Sequence, residues 1–283
     1  MTTIGEYRIS TQNNLKRFFG EEAPPLCDIL MCHFLNVDRS ELILKSDEEL
    51  PEAIIFKMND AIDKLGYGVP VQYILGSCWF FGRKIYVGNG CFIPRSDTET
   101  LVEAAIPCIP QGGVFADLCS GSGCIAAAIA ASRKDAKGYA LELSYKALPY
   151  TERNTEEFPN VEVVRFDALD EDDYRALRER VPQGFDVVAC NPPYIRESEI
   201  DLLQQQIQYE PRSALDGGED GLRYYRAITG LAELLLKPEG TLLFELGYGQ
   251  SGDVAAVMAS FGYKTAAVKD INGIERVILG KKY

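Results

Sequence analysis

Seven short apolar segments alternate with helical segments between Gly113 and the C-terminal end of the sequence. The apolar segments predict strands at 114–119, 138–143, 161–167, 185–190, 241–246, 263–269 and 275–279. The segments between them predict helices at 122–133, 144–157, 172–180, 220–237 and 251–261. Such alternation specifies an α/β fold with an open, largely parallel sheet covered by helices on both faces. Only Asp270-Ile271-Asn272-Gly273 separates the last two strands, which is too short for a parallel crossover, so the last strand is expected to be antiparallel.

Residues 1–70 differ from this pattern because they show helical periodicity without strand-like alternation. Apolar residues recur at spacings of three and four within 26–37 and again within 54–65, which is typical of amphipathic helices. The spacing of Ser46 and Glu49 predicts a capping box at a helix start. The N-terminal part is therefore predicted to be a small helical domain.

A hairpin is predicted between the two regions. Apolar and polar residues alternate from Cys78 to Ile93 around glycine-containing turns, which is typical of two short antiparallel strands. We therefore expect a helical domain at 1–70, a linker with a β-hairpin at 71–96, and the α/β domain at 97–283.

The charge of the chain limits its partners. The formal net charge is −13 and the pI is about 4.7, so the molecule as a whole repels phosphate backbones and extended nucleic-acid binding is disfavoured. No uninterrupted apolar stretch reaches the length of a membrane span, and residues 1–10 lack the apolar core of a signal peptide. A cytoplasmic location without membrane contact is the expected default.

The cysteines and the histidine content bear on metal binding. The eight cysteines include no Cys-x-x-Cys pair, which favours reduced, mostly buried thiols over a disulfide or zinc framework. A single histidine cannot form a multi-histidine metal site. We therefore expect no metal in the site.

A glycine-rich turn follows the first predicted strand of the α/β region. Gly121 and Gly123 let the backbone approach a ligand, and the next helix presents free N–H groups at its N-terminus. Glu142 ends the second strand, where a carboxylate can accept hydrogen bonds from both ribose hydroxyls of a nucleotide-like cofactor. Asp167 ends the third strand in the same way. The loop alone does not separate NAD from S-adenosylmethionine, and a tight turn without a ligand is the alternative interpretation.

The tetrapeptide Asn191-Pro192-Pro193-Tyr194 directly follows the predicted strand 185–190. Two prolines cannot donate to a sheet ladder, so the strand must end here in a stiff corner. An amide side chain, carbonyls without neighbouring N–H groups and an aromatic ring suit a flat group that bears NH2. A nicotinamide enzyme needs a proton donor or acceptor at this place, whereas methyl transfer to NH2 needs positioning and acceptors. The corner, which we call the acceptor corner, therefore favours methyl transfer.

The acceptor corner is one of several segments that together resemble one protein family. These segments are Pro70–Gly76, Phe80–Gly82, Ile93–Arg95, Thr98–Val102, Asp117–Ala126, Asn191–Ile195, Tyr209–Leu222, Glu245–Gln250 and Lys269–Arg276. With them the chain resembles the HemK/PrmC family, which methylates the glutamine of the Gly-Gly-Gln motif in peptide chain release factors. Asn-Pro-Pro-Tyr alone occurs in many methyltransferases that act on nitrogen. The Glu-Pro-x-x-Ala-Leu-x-Gly-Gly block and the Pro-Val-Gln-Tyr segment narrow the resemblance to this family.

Some positions depart from the usual family pattern. Cys119 and Ser120 replace the Gly-Thr of an Asp-Leu-Gly-Thr-Gly loop, so position 119 has a side chain where the family usually has glycine. Glu142 stands where aspartate is common, which keeps the carboxylate and moves it by about one methylene. Ala168 is smaller than the residue that some members have there.

The resemblance implies a fold and a reaction. The implied fold is a seven-stranded class I S-adenosylmethionine-dependent methyltransferase sheet with its last strand antiparallel, joined to an N-terminal helical substrate-recognition domain. The implied cofactor is S-adenosylmethionine, and the implied partner is the Gly-Gly-Gln loop of release factors, without direct contact to nucleic acid. The expected reaction methylates the side-chain amide nitrogen, N5, of that glutamine. The alternatives are an adenine nucleic-acid methyltransferase, a non-catalytic S-adenosylmethionine-binding module and a nicotinamide-linked oxidoreductase.

The resemblance also implies roles for individual residues. The Asn191 side-chain oxygen and the Pro192 carbonyl are expected to accept the N–H groups of the substrate amide, with Pro193 stiffening them. Tyr194 is expected to pack on the amide plane, and Arg95 to contact the substrate loop. The expected cofactor-binding residues are Asp117, Cys119, Ser120, Gly121, Ser122, Gly123, Glu142, Asp167, Ala168 and Asn191.

Overall fold

The computed structural model describes residues 2–282 of the chain. The chain divides into two compact units. The first comprises Met1–Gly76 together with Gln205–Tyr209, and the second comprises Ser77–Gln204 together with Glu210–Tyr283.

The secondary structure is numbered in chain order. The α-helices of the described residues are α1 (Ile4–Phe19), α2 (Ala23–Leu35), α3 (Arg39–Leu44), α4 (Glu52–Gly66), α5 (Val71–Leu75), α6 (Glu99–Ala105), α7 (Cys124–Ser132), α8 (Leu148–Thr155), α9 (Glu171–Arg180), α10 (Glu197–Ile200), α11 (Gln205–Gln208), α12 (Arg223–Leu231) and α13 (Ser251–Ser260). Short 3-10 helices lie at Gly20–Glu22, Ser96–Thr98, Ile106–Cys108, Arg212–Ala214 and Ala232–Leu234. The strands are β1 (Ser77–Phe80), β2 (Arg83–Tyr86), β3 (Val114–Leu118), β4 (Lys137–Glu142), β5 (Val161–Arg165), β6 (Phe185–Cys190), β7 (Leu236–Glu245), β8 (Lys264–Lys269) and β9 (Glu275–Lys281).

The first unit is helical, as its apolar periodicity predicts. Its helices bury a core of apolar side chains, which include Leu15, Leu30, Met31 and Met58. Full burial of one such side chain stabilises a fold by roughly 1.5–3 kcal/mol. The two predicted amphipathic helices correspond to α2 and α4.

The predicted capping box at Ser46 is wrong. The Ser46 carbonyl accepts a hydrogen bond from Gly5 N (2.8 Å), so this segment pairs with the start of the chain and does not begin a helix. α4 begins only at Glu52, with Pro51 in the N-cap position. Capping boxes form instead at Thr3 with Glu6 and at Asp38 with Glu41.

Strands β3 to β9 form one seven-stranded sheet in the order β5-β4-β3-β6-β7-β9-β8. The pairs β5-β4, β4-β3, β3-β6 and β6-β7 are parallel, whereas β9 is antiparallel to β7 and to β8. Every residue of the interior strand β3 is buried, which explains why all of its residues except Asp117 are apolar. The predicted fold class, with a reversed last strand, is confirmed.

Element boundaries differ from the prediction at several places. The helix predicted at 220–237 is wrong at its C-terminal end, because Leu236 pairs with Phe185 of β6 and already belongs to β7. Pro238 also disfavours helical geometry for the residue before it. The third strand of the sheet ends at Arg165, so Asp167 lies in the turn beyond the strand instead of ending it.

The predicted hairpin is formed by β1 and β2, which pair in an antiparallel manner. Phe81 (φ 49°) and Gly82 (φ 69°) connect them. Two consecutive residues with positive φ are typical of the tight turn whose twist matches that of the flanking strands.

Metal-ligand groups, membrane-spanning helices and disulfide bonds are absent from residues 2–282. Residues 2–282 contain no group of three or more His, Cys, Asp or Glu side chains that is arranged to hold a metal ion. Over the same range, no helix combines the length and the apolar character that crossing a bilayer requires. None of the eight cysteines takes part in a disulfide bond within residues 2–282.

Candidate active site

The turn between β3 and α7 uses left-handed backbone at Cys119 (φ 59°), Gly121 (φ 54°) and Gly123 (φ 75°). A Cβ at Gly123 would lie 3.0 Å from the Thr151 side chain of α8. A Cβ at Gly121 would have its nearest neighbouring atom, Cβ of Phe92, 3.8 Å away, so this part of the turn is not tightly packed. Gly121 therefore allows a ligand to approach the backbone, whereas Gly123 allows the turn to pack on α8.

The left-handed conformation of Cys119 is expected to affect the free energy of unfolding. Cys119→Gly is expected to be about 1 kcal/mol more stable than Cys119→Ala, because an L side chain is strained at this φ. Free energies of unfolding in urea measure the difference. Ala128→Gly within α7 is the control. At this helical position the glycine variant is expected to be less stable than the wild type, which has alanine, by about 1 kcal/mol. An alanine variant at 119 that is as stable as the glycine variant would contradict backbone strain at this residue.

Glu142 ends β4 and holds the turn between β3 and α7. One carboxylate oxygen accepts a hydrogen bond from Gly121 N (2.7 Å), and the other accepts one from Ser144 N (2.6 Å). Burial raises the pKa of Glu142, and these backbone donors oppose the rise. Each carboxylate oxygen has a second lone pair. Glu142 can therefore accept two further hydrogen bonds, for example from a pair of hydroxyl groups.

Two buried polar atoms near this turn lack partners. Among the side chains of residues 2–282, Asp117 Oδ1 and Ser120 Oγ are buried without a hydrogen bond. The other Asp117 oxygen accepts a hydrogen bond from Ala126 N (3.0 Å), which ties β3 to the first turn of α7. Burial raises the pKa of Asp117 to about 8, and the charge of Glu142 adds to the rise. Leaving such an atom unpaired costs about 1–3 kcal/mol, which a polar ligand would offset.

Asp167 and Ala168 lie in the turn after β5, next to the end of β4. Phe166 N donates to the Glu142 carbonyl (3.1 Å), which keeps the two strand ends adjacent. The Asp167 carboxylate accepts a backbone N–H within its own turn (2.9 Å), and the Tyr174 hydroxyl donates to the Ala168 carbonyl (3.1 Å). These contacts order the turn beside Glu142.

The acceptor corner follows β6. Asn191 Nδ2 donates to Thr98 Oγ1 (3.3 Å), which leaves the side-chain oxygen on the other branch of the amide. Within residues 2–282, no donor is bonded to Asn191 Oδ1 or to the Pro192 carbonyl. Both prolines are buried, and Pro193 has no N–H group. Two free acceptors therefore lie next to each other at the carboxyl end of β6.

Tyr194 is anchored at both its hydroxyl and its backbone. The hydroxyl lies 3.4 Å from Glu245 Oε1 at the end of β7, and the backbone carbonyl accepts a hydrogen bond from Gln250 Nε2 (3.0 Å). Burial, followed by the charge of Glu245, raises the pKa of Tyr194. The phenol therefore keeps its proton and acts as a hydrogen-bond donor.

The segment Glu210–Leu222 packs against the chain that leaves the acceptor corner. Ile195 N donates a hydrogen bond to the Leu215 carbonyl (2.9 Å), and the Ile195 carbonyl accepts one from Gly217 N (2.8 Å). A Cβ at Gly217 or at Gly221 would lie within 2.8 Å or 2.6 Å of backbone atoms of Tyr194. Glycine at these positions therefore permits the close approach that supports the corner.

Arg95 has a partner within the protein. Its guanidinium pairs with Glu210, whose side chain is only 1% exposed and also accepts a hydrogen bond from Ile93 N (2.9 Å). Burial raises the pKa of Glu210, and Arg95 lowers it. The Arg95 guanidinium also lies over the Phe92 ring, 4.9 Å from its centroid. The pair joins the segment Glu210–Leu222 to the chain that precedes α6.

Arg95→Met is expected to destabilise the fold by about 1–3 kcal/mol at neutral pH, because it leaves the buried Glu210 charge without its partner. Loss of Arg95 raises the folded-state pKa of Glu210 further, so the deficit grows as the pH rises above the unfolded value of about 4.3. Urea unfolding between pH 5 and 8 measures it. Arg83→Met is the control, because its partner Glu157 is 64% exposed. Its effect is expected to stay within about 1 kcal/mol. Equal effects of the two variants would contradict a structural role for Arg95.

Sheet register brings most of the predicted site residues to one edge. Leu118 of β3 pairs with Leu141 of β4 and with Cys190 of β6, so the residues that follow these positions share the carboxyl edge of the sheet. Glu142 and Asn191 are two of them. Sequence reasoning assigned no role to three residues that contact the acceptor corner, Thr98, Glu245 and Gln250. The sequence did contain one signal for Glu245. Like Glu142, it is a charged residue at the end of an apolar strand.

Two family models match the chain. The model described as the PrmC N-terminal domain matches residues 13–76. The model described as conserved hypothetical protein 95 matches residues 98–215. The first match lies in the helical unit, and the second includes both the turn after β3 and the acceptor corner.

Curated relatives align with almost the whole chain. A release factor glutamine methyltransferase of Thermodesulfovibrio yellowstonii is 36% identical over 89% of this chain and 90% of its own length. One of Clostridium acetobutylicum is 33% identical over 98% of this chain and 95% of its own length. A solved methyltransferase from Pyrococcus furiosus is 18% identical over 72% of this chain and 91% of its own, with a TM-score of 0.51, and shows the same fold. From its identity to these relatives over nearly its full length, the chain belongs to the release factor glutamine methyltransferase family.

Proposed function

We propose that this chain transfers the methyl group of S-adenosylmethionine to the side-chain amide nitrogen, N5, of the glutamine in the Gly-Gly-Gln motif of peptide chain release factors. The observation that carries the proposal is the pair of free acceptors, Asn191 Oδ1 and the Pro192 carbonyl, on a proline-stiffened corner. A primary amide has two N–H donors. Two fixed acceptors bind both donors and leave a face of the nitrogen open to the methyl group.

The residues around the turn after β3 fit S-adenosylmethionine. Glu142 would accept hydrogen bonds from the ribose hydroxyls, and Gly121 would let the cofactor approach the backbone. The unpartnered Asp117 Oδ1 and Ser120 Oγ would bind polar groups of the methionine part. When bound, the cofactor supplies a methyl group that is already activated by the positive charge of its sulfonium.

The acceptor corner compensates for the weakness of the nucleophile. An amide nitrogen attacks poorly because its lone pair is delocalised into the carbonyl. Acceptors on both N–H groups polarise these bonds and hold the nitrogen in line with the methyl group. Pro193 keeps the acceptors from reorganising during the reaction, and Tyr194 would pack beside the amide plane.

Residues 1–70 form the substrate-recognition domain in this proposal, 71–96 the linker and 97–283 the methyltransferase domain. The helical unit exposes large apolar side chains that a partner protein could cover, Phe18 (80%), Leu44 (83%), Phe56 (76%) and Tyr67 (72%). Phe56→Ser is expected to raise the KM for intact release factor and to leave the KM for S-adenosylmethionine unchanged. Ile271→Ser in the second unit, where Ile271 is fully exposed, is the matched control. Equal KM values for both variants would contradict recognition by this surface.

Methyl transfer from labelled cofactor tests the function directly. Release factor, a Gly-Gly-Gln→Gly-Gly-Ala variant of it and duplex DNA are offered in parallel to the full chain. Label is expected only in the unaltered release factor, in keeping with the net charge of −13, which disfavours DNA. Label in the Gly-Gly-Ala variant or in DNA would contradict the proposed acceptor. The proposed place of the reaction is the cytoplasm.

A further inference from the structure

Gln250 occupies the N-cap position of α13, but its side chain makes no capping hydrogen bond to that helix. The side chain extends instead to the acceptor corner, where Nε2 donates to the Tyr194 carbonyl (3.0 Å). Its Oε1 accepts a hydrogen bond from Gly247 N (3.0 Å). Gln250 therefore bridges the segment between β7 and α13 and the end of the acceptor corner.

The two backbone partners fix which end of the Gln250 amide faces the corner. A backbone N–H can only donate, and a backbone carbonyl can only accept. If the amide were turned by 180°, its NH2 group would face the N–H of Gly247 and its oxygen would face the carbonyl of Tyr194. Neither pair forms a hydrogen bond. The orientation with Nε2 at the Tyr194 carbonyl is therefore the one that both partners require.

Two glycines leave the space that this contact needs. A Cβ at Gly247 would lie 2.4 Å from Gln250 Oε1 and 3.0 Å from Cδ2 of the Tyr194 ring. A Cβ at Gly221 would lie 2.6 Å from the Tyr194 carbonyl oxygen and 2.8 Å from Gln250 Nε2. Distances below 3.0 Å from a Cβ to another heavy atom are essentially not found in proteins. The hydrogen bond between Gln250 and Tyr194 therefore lies in a slot between two glycines, which a side chain at either position would close.

The acceptor corner requires an external contact because its prolines have no backbone donors. The start of the corner is held by β6, which pairs with β3 and β7. Pro192 and Pro193 follow without N–H groups, so they cannot be held by donation. Beyond them, the Tyr194 carbonyl accepts the hydrogen bond from Gln250. Because the ring of Pro193 also fixes its φ, few free backbone angles remain between the Pro192 carbonyl and the anchored Tyr194 carbonyl.

We propose that Gln250 is a positioning residue that fixes the Pro192 carbonyl and the Tyr194 ring in the geometry that receives the acceptor glutamine. The inference rests on the proposed function, because it deepens the role of the same corner. Gln250 needs no contact with the substrate or the cofactor, because it acts through Tyr194. Without its donor, the end of the corner is free to move while β6 stays in the sheet.

Gln250→Glu tests this role with little change of shape. The carboxylate keeps an acceptor for Gly247 N, but it places an oxygen against the Tyr194 carbonyl where the wild type has a donor. The rate of methyl transfer to release factor by the full chain in a single turnover is expected to fall about 100-fold, the loss that a misplacement of about 1 Å can cause. A Gln250→Glu variant with the wild-type rate would overturn the proposal.

Two further variants separate the lost hydrogen bond from the added charge. Gln250→Met, which is uncharged and of similar length, is expected to lose as much activity as Gln250→Glu. Asn160→Asp is the matched control, because Asn160 is also partly buried and its Nδ2 also donates to a backbone carbonyl, that of Ala136 (2.7 Å). This contact lies before β4 and β5, at the edge of the sheet opposite to the acceptor corner. The control is expected to keep the wild-type rate, and equal losses in Asn160→Asp and Gln250→Glu would overturn a positioning role for Gln250.

A measurement without substrate separates this proposal from the proposed function. The backbone carbonyl carbons of Tyr194 and Ala136 are followed by NMR, because such a resonance moves when the carbonyl oxygen loses a hydrogen bond. The Tyr194 resonance is expected to move in Gln250→Glu only, and the Ala136 resonance in Asn160→Asp only. A Tyr194 resonance that stays in place in Gln250→Glu overturns the proposal, whatever the chain methylates. If the resonances move as expected and the wild type does not label release factor, the proposed function is refuted and the role of Gln250 in it falls with it, whereas the hydrogen bond stands.

Discussion

Asn191→Ala is expected to lower kcat about 100- to 1000-fold, which corresponds to about 2.7–4 kcal/mol in the activation barrier and matches the loss of one preorganised electrostatic group in other enzymes. Asn191 Oδ1 is free in the structure and lies beside the free Pro192 carbonyl. Alanine removes one of the two acceptors, so the substrate amide can rotate away from the line of attack. Single-turnover methyl transfer to release factor measures the effect without a contribution from product release.

The comparison variant is Asn272→Ala in the turn between β8 and β9, where the asparagine is exposed. It is expected to keep the wild-type kcat. Near-normal turnover of Asn191→Ala would remove Asn191 from the reaction.

Glu142→Gln is expected to weaken the binding of S-adenosylmethionine about 100-fold, because hydrogen bonds to a charged group contribute about 1.5–3 kcal/mol each. The carboxylate accepts from Gly121 N and Ser144 N and has lone pairs left for two hydroxyl groups. A glutamine side chain would place an NH2 group against one of these backbone donors, so the turn after β3 would also lose an anchor. Isothermal titration calorimetry with the cofactor measures the change.

Glu210→Gln is the matched control for this variant. Glu210 is also buried, also accepts a backbone N–H and also has a raised pKa, but it belongs to the support of the acceptor corner. The cofactor affinity of Glu210→Gln is expected to equal that of the wild type.

The cofactor affinity of the wild type is expected to depend on pH. Because burial raises the pKa of Glu142, this affinity is expected to fall at a higher pH than it would with an ordinary glutamate. Equal affinities of Glu142→Gln and wild type would exclude Glu142 from the cofactor site.

Most of the sheet was predictable because its interior strands β3 and β6 are buried along nearly their whole length. All five residues of β3 are buried and four of them are apolar, and the short link before β9 permits only an antiparallel hairpin. The end of the helix predicted at 220–237 was only partly predictable, because Pro238 disfavours a helical Lys237 but does not show that Leu236 begins a strand. Its pairing with Phe185, which is distant in sequence, decides that it belongs to a strand. Local propensity is overridden here by a tertiary contact.

The candidate site was predictable where one short segment carries the chemistry. The glycine turn and the acceptor corner each combine backbone geometry and side chains within a few residues. The contacts of Thr98, Glu245 and Gln250 with the corner were not predictable, because they depend on distances between segments that a sequence does not contain. The partner of Arg95 is a further example. The resemblance implies that Arg95 contacts the substrate loop, and the fold in addition places the buried Glu210 beside it.

The acceptor corner also has a consequence for the order of folding. Asn191 and Thr98 are separated by 93 positions in sequence, and Tyr194 and Glu245 by 51. Contacts over such separations form late, because the loops that they close must lose their conformational entropy first. The hydrogen bonds around Asn191 therefore require β6 and β7 to have joined the sheet. A nascent chain that still holds β7 within the ribosome is therefore expected to contain every residue of the turn after β3, but not the geometry that receives a glutamine.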